Sequence, residues 1–305
     1  MGIQVGRHGK VSSLSIIEYN SYIANRLSKR LEDLGIKVDY LSQLGVLYNN
    51  NEVLPNLFNL KNKNSFKYSY VVNCAGSNRK FCEKFPSEGI FQTKEIIYKI
   101  HEILEYGLAK NVLHFSTIHV FGGVNYKYNK PTEFACPNDA YGNSHMIAEN
   151  SLVQKLGLTE NKKNFTILGL PNIFGYSSKM FGETAHLFGN QIIEMACKGL
   201  IELKAKNNIS LNLFPLGLLC DFVINECIKD KYLGKTINLY HEGPTKILDY
   251  IKKISYHTQF RLVSNISTET PIYPSCKSDI QFSDFWSHFD NEIYEIFLYF
   301  QKKWK

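Results

Sequence analysis

The chain has 305 residues, 44% hydrophobic and 21% charged, the makeup of a folded protein with a substantial core. No run of about 18 apolar residues is present, and Met1 to Val11 lacks the apolar stretch of a signal peptide, so no membrane association and a cytoplasmic location are expected. The net charge of +7 is dispersed and no nucleic-acid-binding motif occurs; the seven cysteines (Cys74, Cys82, Cys136, Cys197, Cys220, Cys227 and Cys276) form no Cys-x-x-Cys pair, so neither a metal site nor a disulfide framework is expected.

The first predicted element is a strand over Ser15 to Ile17. A helix to Leu34 follows, because Ile23, Leu27, Leu31 and Leu34 recur at helical spacing, and Gly35 is placed to end it. Val38, Tyr40 and Leu41 read as a second strand. The near-continuous apolar run Tyr70 to Gly76 reads as a strand covered on both faces. Then come a helix over Ile90–Tyr106, a strand over Val112–Phe115, a helix over Ala140–Leu156 and a strand over Phe165–Leu170. Strands alternating with helices predict an α/β fold with a doubly wound parallel sheet. Beyond Pro171 the rhythm breaks. Gly175 to Gly182 is loop-like, and helices are expected at Asn190–Cys197, Leu218–Ile228, Ile247–Ile254 and Asn291–Lys303, with a strand at Thr236–Tyr240. This predicts a main domain over residues 1–170 and a smaller C-terminal lobe over 171–305, with segments near 210–255 returning to the main domain.

Four segments carry candidate chemistry. Phe115-Ser116-Thr117-Ile118-His119-Val120-Phe121-Gly122 places hydroxyls where a strand ends. Glu133-Phe134-Ala135-Cys136-Pro137-Asn138-Asp139-Ala140-Tyr141-Gly142-Asn143-Ser144-His145 opens a helix that puts Tyr141 and His145 one turn apart on one face. Between Ile17 and Gly35, Glu18, Ser21 and Ala24 occupy a strand-to-helix turn. The fourth is Leu168-Gly169-Leu170-Pro171-Asn172-Ile173-Phe174-Gly175.

In this order and spacing, over about residues 15 to 240, the segments resemble the extended short-chain dehydrogenase/reductases. This family includes nucleotide-sugar epimerases, dehydratases and reductases, and the Val-Phe-Gly form is closest to dTDP-4-dehydrorhamnose reductases. The resemblance implies a Rossmann-like sheet in a dinucleotide-binding first domain, a substrate lobe after it, and a specific set of roles. Thr117 would bind the reacting oxygen, with Ser116 beside it on the substrate. Tyr141 would be the proton-transfer group. A phenol's pKa lies near 10, so a cation is needed to make phenolate accessible; the family uses Lys where this chain has His145, whose imidazolium would do part of that work. Asn20, Ser21, Tyr22 and Ile23 would meet the pyrophosphate at a helix N-terminus. Cys74, Ala75 and Gly76 would line the adenine side. Ser42 replaces the acid that NAD enzymes carry, which removes the preference for NAD and permits NADP, or neither. Asn172 would orient the substrate.

The departures are as informative. Glu18 stands where the turn has glycine, bringing a carboxylate near the phosphate path. Thr93 replaces a helical Asn, and Gly169 an Arg. Ile118 and His119 replace the Asp-Glu pair of sugar dehydratases, which argues against elimination chemistry. A rival phosphate loop, Gly6-Arg7-His8-Gly9-Lys10-Val11-Ser12, also has the glycine spacing. The expected function is an NAD(P)-dependent reductase or epimerase of a nucleotide-activated sugar in surface polysaccharide biosynthesis. It would act as a homodimer through the Ile90–Tyr106 and Ala140–Leu156 helices. The alternative is a non-catalytic relative that binds a nucleotide sugar, or a protein partner, without redox chemistry.

Overall fold

A computed structural model describes residues 13–17, 21–41, 47–49, 52–53, 68–122, 135–157, 164–178, 187–203, 210–239, 245–264 and 280–303. In chain order the elements of its first half are β1 (Ser13–Ile17), α1 (Tyr22–Asp33), β2 (Lys37–Leu41), β3 (Leu47–Asn49), β4 (Glu52–Val53), β5 (Tyr68–Asn73), α2 (Arg79–Lys84), α3 (Pro86–Glu105), β6 (Ala109–Thr117) and α4 (Ala140–Gly157). The second half holds β7 (Phe165–Leu170), β8 (Asn172–Phe174), α5 (Phe188–Cys197), β9 (Leu200–Leu203), β10 (Ser210–Leu211), β11 (Leu213–Pro215), α6 (Leu216–Asn225), β12 (Lys235–Asn238), β13 (Thr245–Lys246), α7 (Ile247–Ser255), β14 (Arg261–Ser264) and α8 (Phe285–Lys303).

The main sheet has the order β12-β7-β6-β5-β1-β2-β3-β4. From β12 to β2 every pairing is parallel, and β3 and β4 close the far edge antiparallel. Ile16, Val72, Leu113 and Leu168 sit on four separate strands and are fully buried. The apolar runs are continuous because both faces are covered. Successive side chains point to opposite faces, so each strand feeds two cores. Ile16, Val72, Leu113 and Leu168 join α1, α5, α6, α7 and α8. Their neighbours Val71, Val112 and Ile167 join Ile96, Ile97, Ile100 and Ile103 of α3 and Ala148, Leu152 and Leu156 of α4.

Chain order reverses between β1 and β5: β2 lies to one side of β1, and β5, β6 and β7 lie to the other. Open α/β sheets bind ligands at the carboxyl ends of such strands. The backbone ties this point together, with Cys74 N–H donating to Ile17 O at 3.3 Å. α1 ends as its sequence predicts, with Gly35 at φ +73°.

Several elements differ from their sequence reading. α2 was not expected, and α8 begins at Phe285 rather than Asn291. α6 starts at Leu216 and stops at Asn225, with a 3₁₀ turn Cys227–Lys229 in place of its last turn. The parallel pairs β8–β11 and β9–β14 and the antiparallel pair β10–β13 lie outside the main sheet. Strands this short show no periodicity to read.

Candidate active site

Thr117 is the last residue of β6, extended at φ −139°, and the chain then turns sharply through a 3₁₀ turn at Ile118–Phe121. Thr117 Oγ1 accepts the His119 N–H at 3.3 Å. Facing this turn is the start of α4. Asp139 Oδ1 accepts the Gly142 N–H at 2.6 Å, as a residue just ahead of a helix should. The Asp139 carboxylate also meets Arg79 of α2 at 3.3 Å and lies 3.7 Å from His119 Nδ1. A Cβ on Gly142 would collide with the His119 carbonyl. Glycine at that position is what lets the start of α4, and Tyr141 with it, come up against the turn after β6. Burial pushes the Tyr141 phenol up to about 12, and the Thr117 hydroxyl pulls it part of the way back.

His145 lies one turn further along, its ring edge-on to Tyr141 at 4.7 Å between centroids. Burial works against the positive charge expected of it. Burial, reinforced by His119, pushes its pKa down to about 4, so near neutrality it is an uncharged imidazole. Its Nδ1 is buried and has no hydrogen-bond partner among the described residues. The Cε1–Nε2 side of the ring faces Gly76: a Cβ there would stand 3.3 Å from Cε1 and 3.5 Å from Nε2.

Two buried groups stand behind this pair. His114, in the middle of β6, has Nδ1 at 2.8 Å from Asn73 Nδ2, while its Nε2 is buried without a partner among the described residues. Burial, with His145 adding to it, pushes its pKa down to about 3. Ser116 is expected on the substrate, but strand alternation turns it away from Thr117. It is buried and donates to the Glu149 carboxylate of α4. Burial pushes Glu149 up to about 7, against the Ser116 bond. Sequence reading overlooked both His114 and Glu149. Glu149 carried a signal, since it continues the helical face of Tyr141 and His145.

The dinucleotide corner lies at the β1–β5 switch point. Ser21 caps α1 by accepting the Ala24 N–H at 3.1 Å. The Tyr22 and Ile23 N–H groups then have no intrahelical acceptor and face out from the helix start. The Tyr22 side chain itself is buried and bonded to Gly175 O, so only its backbone is left for a ligand. Cys74, Ala75 and Gly76 follow β5 directly, and the Ala75 N–H is held by Asn73 Oδ1 at 3.1 Å. Thr93 does not face the cleft; its hydroxyl donates to Gly89 O at 2.8 Å within α3. Glu18, Asn20, Ser42 and the rival segment Gly6 to Ser12 lie outside the described residues. A helix start with two N–H groups to offer, and a residue without Cβ at 76 beside the His145 ring, suit a dinucleotide.

Asn172 opens β8 with its side chain exposed. Gly169, where the family has Arg, is explained by its neighbour on β12: any Cβ at 169 would collide with the Asn238 side chain. The buried carboxylate of Glu292, on α8, accepts the Tyr176 and Gly217 N–H groups, each at 2.7 Å. Its position among Phe289, Ile293 and Ile296 marks it as core-facing, a signal the sequence reading passed over.

No protein-family model and no curated protein matches the sequence. Solved structures do match its fold. A UDP-glucose 4-epimerase from Thermus thermophilus, complexed with NAD, superposes with a TM-score of 0.68 at 14% identity, covering 95% of this chain and 99% of that one. A dTDP-4-dehydrorhamnose reductase from Clostridium acetobutylicum gives 0.64 at 15% identity, covering 92% and 98%. RMD from Pseudomonas aeruginosa, complexed with NADPH, gives 0.66 at 14% identity, covering 95% and 99%. The chain has the Rossmann-like fold of these nucleotide-sugar epimerases and reductases over nearly its whole length.

Proposed function

We propose that the chain is an extended short-chain dehydrogenase/reductase that uses NAD or NADP to act as a reductase or epimerase on a nucleotide-activated sugar. The carrying observation is the close approach of the start of α4, which bears Tyr141, to the turn that follows Thr117 at the carboxyl end of β6, where a Cβ on Gly142 would collide with the His119 carbonyl. Thr117 holds the reacting oxygen and Tyr141 exchanges a proton with it. The N–H groups of Tyr22 and Ile23, together with Ser21, hold the pyrophosphate. Cys74, Ala75 and Gly76 line the cofactor, and Asn172 orients the sugar nucleotide. The cofactor supplies hydride chemistry when bound; the chain supplies the proton, the orientation and the exclusion of water. Glu149 takes up Ser116, so Ser116 braces the strand beneath Thr117 rather than meeting the substrate.

The neutral state of His145 favours a second reading, a non-catalytic relative that keeps the sugar-nucleotide site. Fluorescence titration separates the two. An enzyme binds NADH or NADPH at micromolar concentration, and UDP-glucose binds the preformed complex. A chain that binds UDP-glucose and neither dinucleotide is the non-catalytic relative, and one that binds neither class of ligand rules out both readings.

Assembly as a cytoplasmic homodimer, in the service of surface polysaccharide synthesis, belongs to the same proposal. Phe91 and Tyr98 of α3 and Val153 of α4 are large apolar residues left on the outer face of that helix pair. Light scattering is expected to give a dimer for the wild type and a monomer for Phe91→Glu at micromolar concentration; a monomeric wild type removes the dimer.

A further inference from the structure

We infer that Asn25 is a positioning residue that couples the two ligand sites: through it the helix that receives the dinucleotide also holds the segment continuing from Asn172, so each ligand tightens the site of the other. This rests on the reading just proposed and adds to it the residues that link cofactor to substrate.

The link is made by one face of α1. Tyr22, Asn25 and Arg26 stand at i, i+3 and i+4, where helical side chains are neighbours. All three reach the same stretch, Gly175 to Ser178, which follows β8 directly. The Tyr22 hydroxyl donates to Gly175 O. Asn25 Oδ1 accepts two hydroxyls, that of Ser177 at 3.0 Å and that of Ser178 at 2.6 Å. The Arg26 guanidinium lies 5.8 Å from the centre of the Tyr176 ring. These contacts join residues 152 and 153 apart in sequence, so they are tertiary contacts and not the internal bonds of a turn.

The other side of the same stretch is held by the lobe. Asn190 of α5 accepts the Gly175 N–H on Oδ1 at 3.1 Å, and its Nδ2 reaches the Tyr22 hydroxyl at 3.4 Å. Glu292 of α8 accepts the Tyr176 N–H at 2.7 Å. Gly175 and Ser177 are buried, whereas Ser178 is exposed and Asn25 is half-buried. Water therefore competes for the Asn25 contacts, and this is where the link opens and closes most cheaply.

Each end of the link lies at a proposed ligand position. Ser21 and the N–H groups of Tyr22 and Ile23, assigned to the pyrophosphate, belong to the turn of α1 that precedes Asn25. Asn172, assigned to the sugar nucleotide, is joined to Gly175 by Ile173 and Phe174, both buried and paired in register with β11. A ligand that restrains the first turn of α1 restrains Tyr22 and Asn25, and through them Gly175 to Ser178 and the strand of Asn172. Whichever ligand binds first orders the stretch, and the second meets it already ordered. That is positive coupling, and linkage makes its factor the same in both directions.

Asn25→Ala removes the shared acceptor but leaves the Ser21 cap, the Tyr22 hydroxyl and the phosphate-facing N–H groups in place. Asn25→Asp keeps an oxygen for both serines. UDP-glucose titrated into the full chain is expected to bind at least about fivefold more tightly with saturating NADPH than without it, in the wild type and in Asn25→Asp. In Asn25→Ala the two affinities should be equal, and the Ser177→Ala/Ser178→Ala variant, which removes the same contacts from the opposite side, should behave alike. Hydrogen exchange reads the link with one ligand at a time. NADPH alone should slow exchange of the Gly175 and Tyr176 amides, and UDP-glucose alone should slow that of the Ala24 and Asn25 amides. Both remote effects should vanish in Asn25→Ala while the ligand still binds; an Asn25 that only supports the fold would lower protection equally with and without ligand. Equal UDP-glucose affinities in the wild type with and without NADPH, or remote protection that survives in Asn25→Ala, overturns the coupling and leaves the proposed function standing. A chain that takes only one of the two ligands still decides the coupling through the remote amides. A chain that takes neither overturns the preceding section and the coupling together.

Discussion

Two corners of the molecule bury ionisable groups and treat them in opposite ways. At Glu292 the carboxylate receives two backbone N–H groups, one from the loop after Gly175 and one from the start of α6, with Arg26 at 3.9 Å. A Cβ on Gly175 or Gly217 would collide with it, so the surrounding backbone is shaped to its oxygens. At His145 the ring is as deeply buried, yet Nδ1 faces no protein acceptor or donor among the described residues and Nε2 borders a residue with no side chain. A buried polar group with every partner supplied by the fold holds structure together. One whose partners are incomplete marks where a ligand or a proton is handled.

The largest effect expected from this contrast is on folding. Glu292→Ala leaves the Tyr176 and Gly217 N–H groups buried without acceptors, a loss of about 4 kcal/mol at roughly 1–3 kcal/mol per group. Urea denaturation should show it as a large fall in midpoint. A loss below 1 kcal/mol would mean that the corner is hydrated and carries no structural load.

The two corners should also tilt stability with pH in opposite senses. Burial raises Glu292 to about 7 in the folded state, above the unfolded value. The folded chain therefore binds the extra proton, and that stability is complete below about pH 4.5 and is lost as pH rises through 7. Burial lowers His145 to about 4, so its contribution is complete above about pH 6.5 and is lost as pH falls through 4. Each amounts to about 3 kcal/mol across its window. Denaturation from pH 4 to 8 should show Glu292→Gln flattening the upper side and His145→Gln the lower. Parallel curves for both variants would erase the distinction.

Ser21→Ala should cost about 1 kcal/mol, because the cap on the Ala24 N–H is lost. It should also weaken dinucleotide binding. A fall in stability with unchanged affinity would place the phosphates elsewhere, as the segment Gly6 to Ser12 would.

Gly76→Ala is the mildest change to the fold, since the added Cβ meets only the His145 ring at 3.3 Å. A stability change under about 0.5 kcal/mol is expected, with dinucleotide affinity falling about tenfold as the methyl group fills the cradle. Unaltered affinity would show that nothing binds between Gly76 and His145.

Much of the architecture was legible beforehand. The runs around Ile16, Val72, Leu113 and Leu168 are apolar without interruption, which only a doubly covered parallel strand tolerates. The close approach of α4 to the turn after β6 has a local signal, because Gly142, which permits it, sits next to Tyr141 in sequence. The role of Ser116 was misjudged: a one-residue step along β6 turns its side chain to the helix side, where Glu149 waits. The short strands β8 to β11 were illegible, because two to four residues carry no period and their partners come from distant parts of the chain.

The amino-acid order alone determined the alternation of strand and helix, and with it the doubly wound parallel sheet. Those depend on apolar periodicity and on caps and glycines acting over a few residues. Only the tertiary structure decided the charge on the candidate site. His145 could have been a cation by composition, but its ionisation depends on burial and on His119 from a different element. A pKa is set by everything within a few ångströms in space, and the sequence brings those groups together only once the sheet has formed.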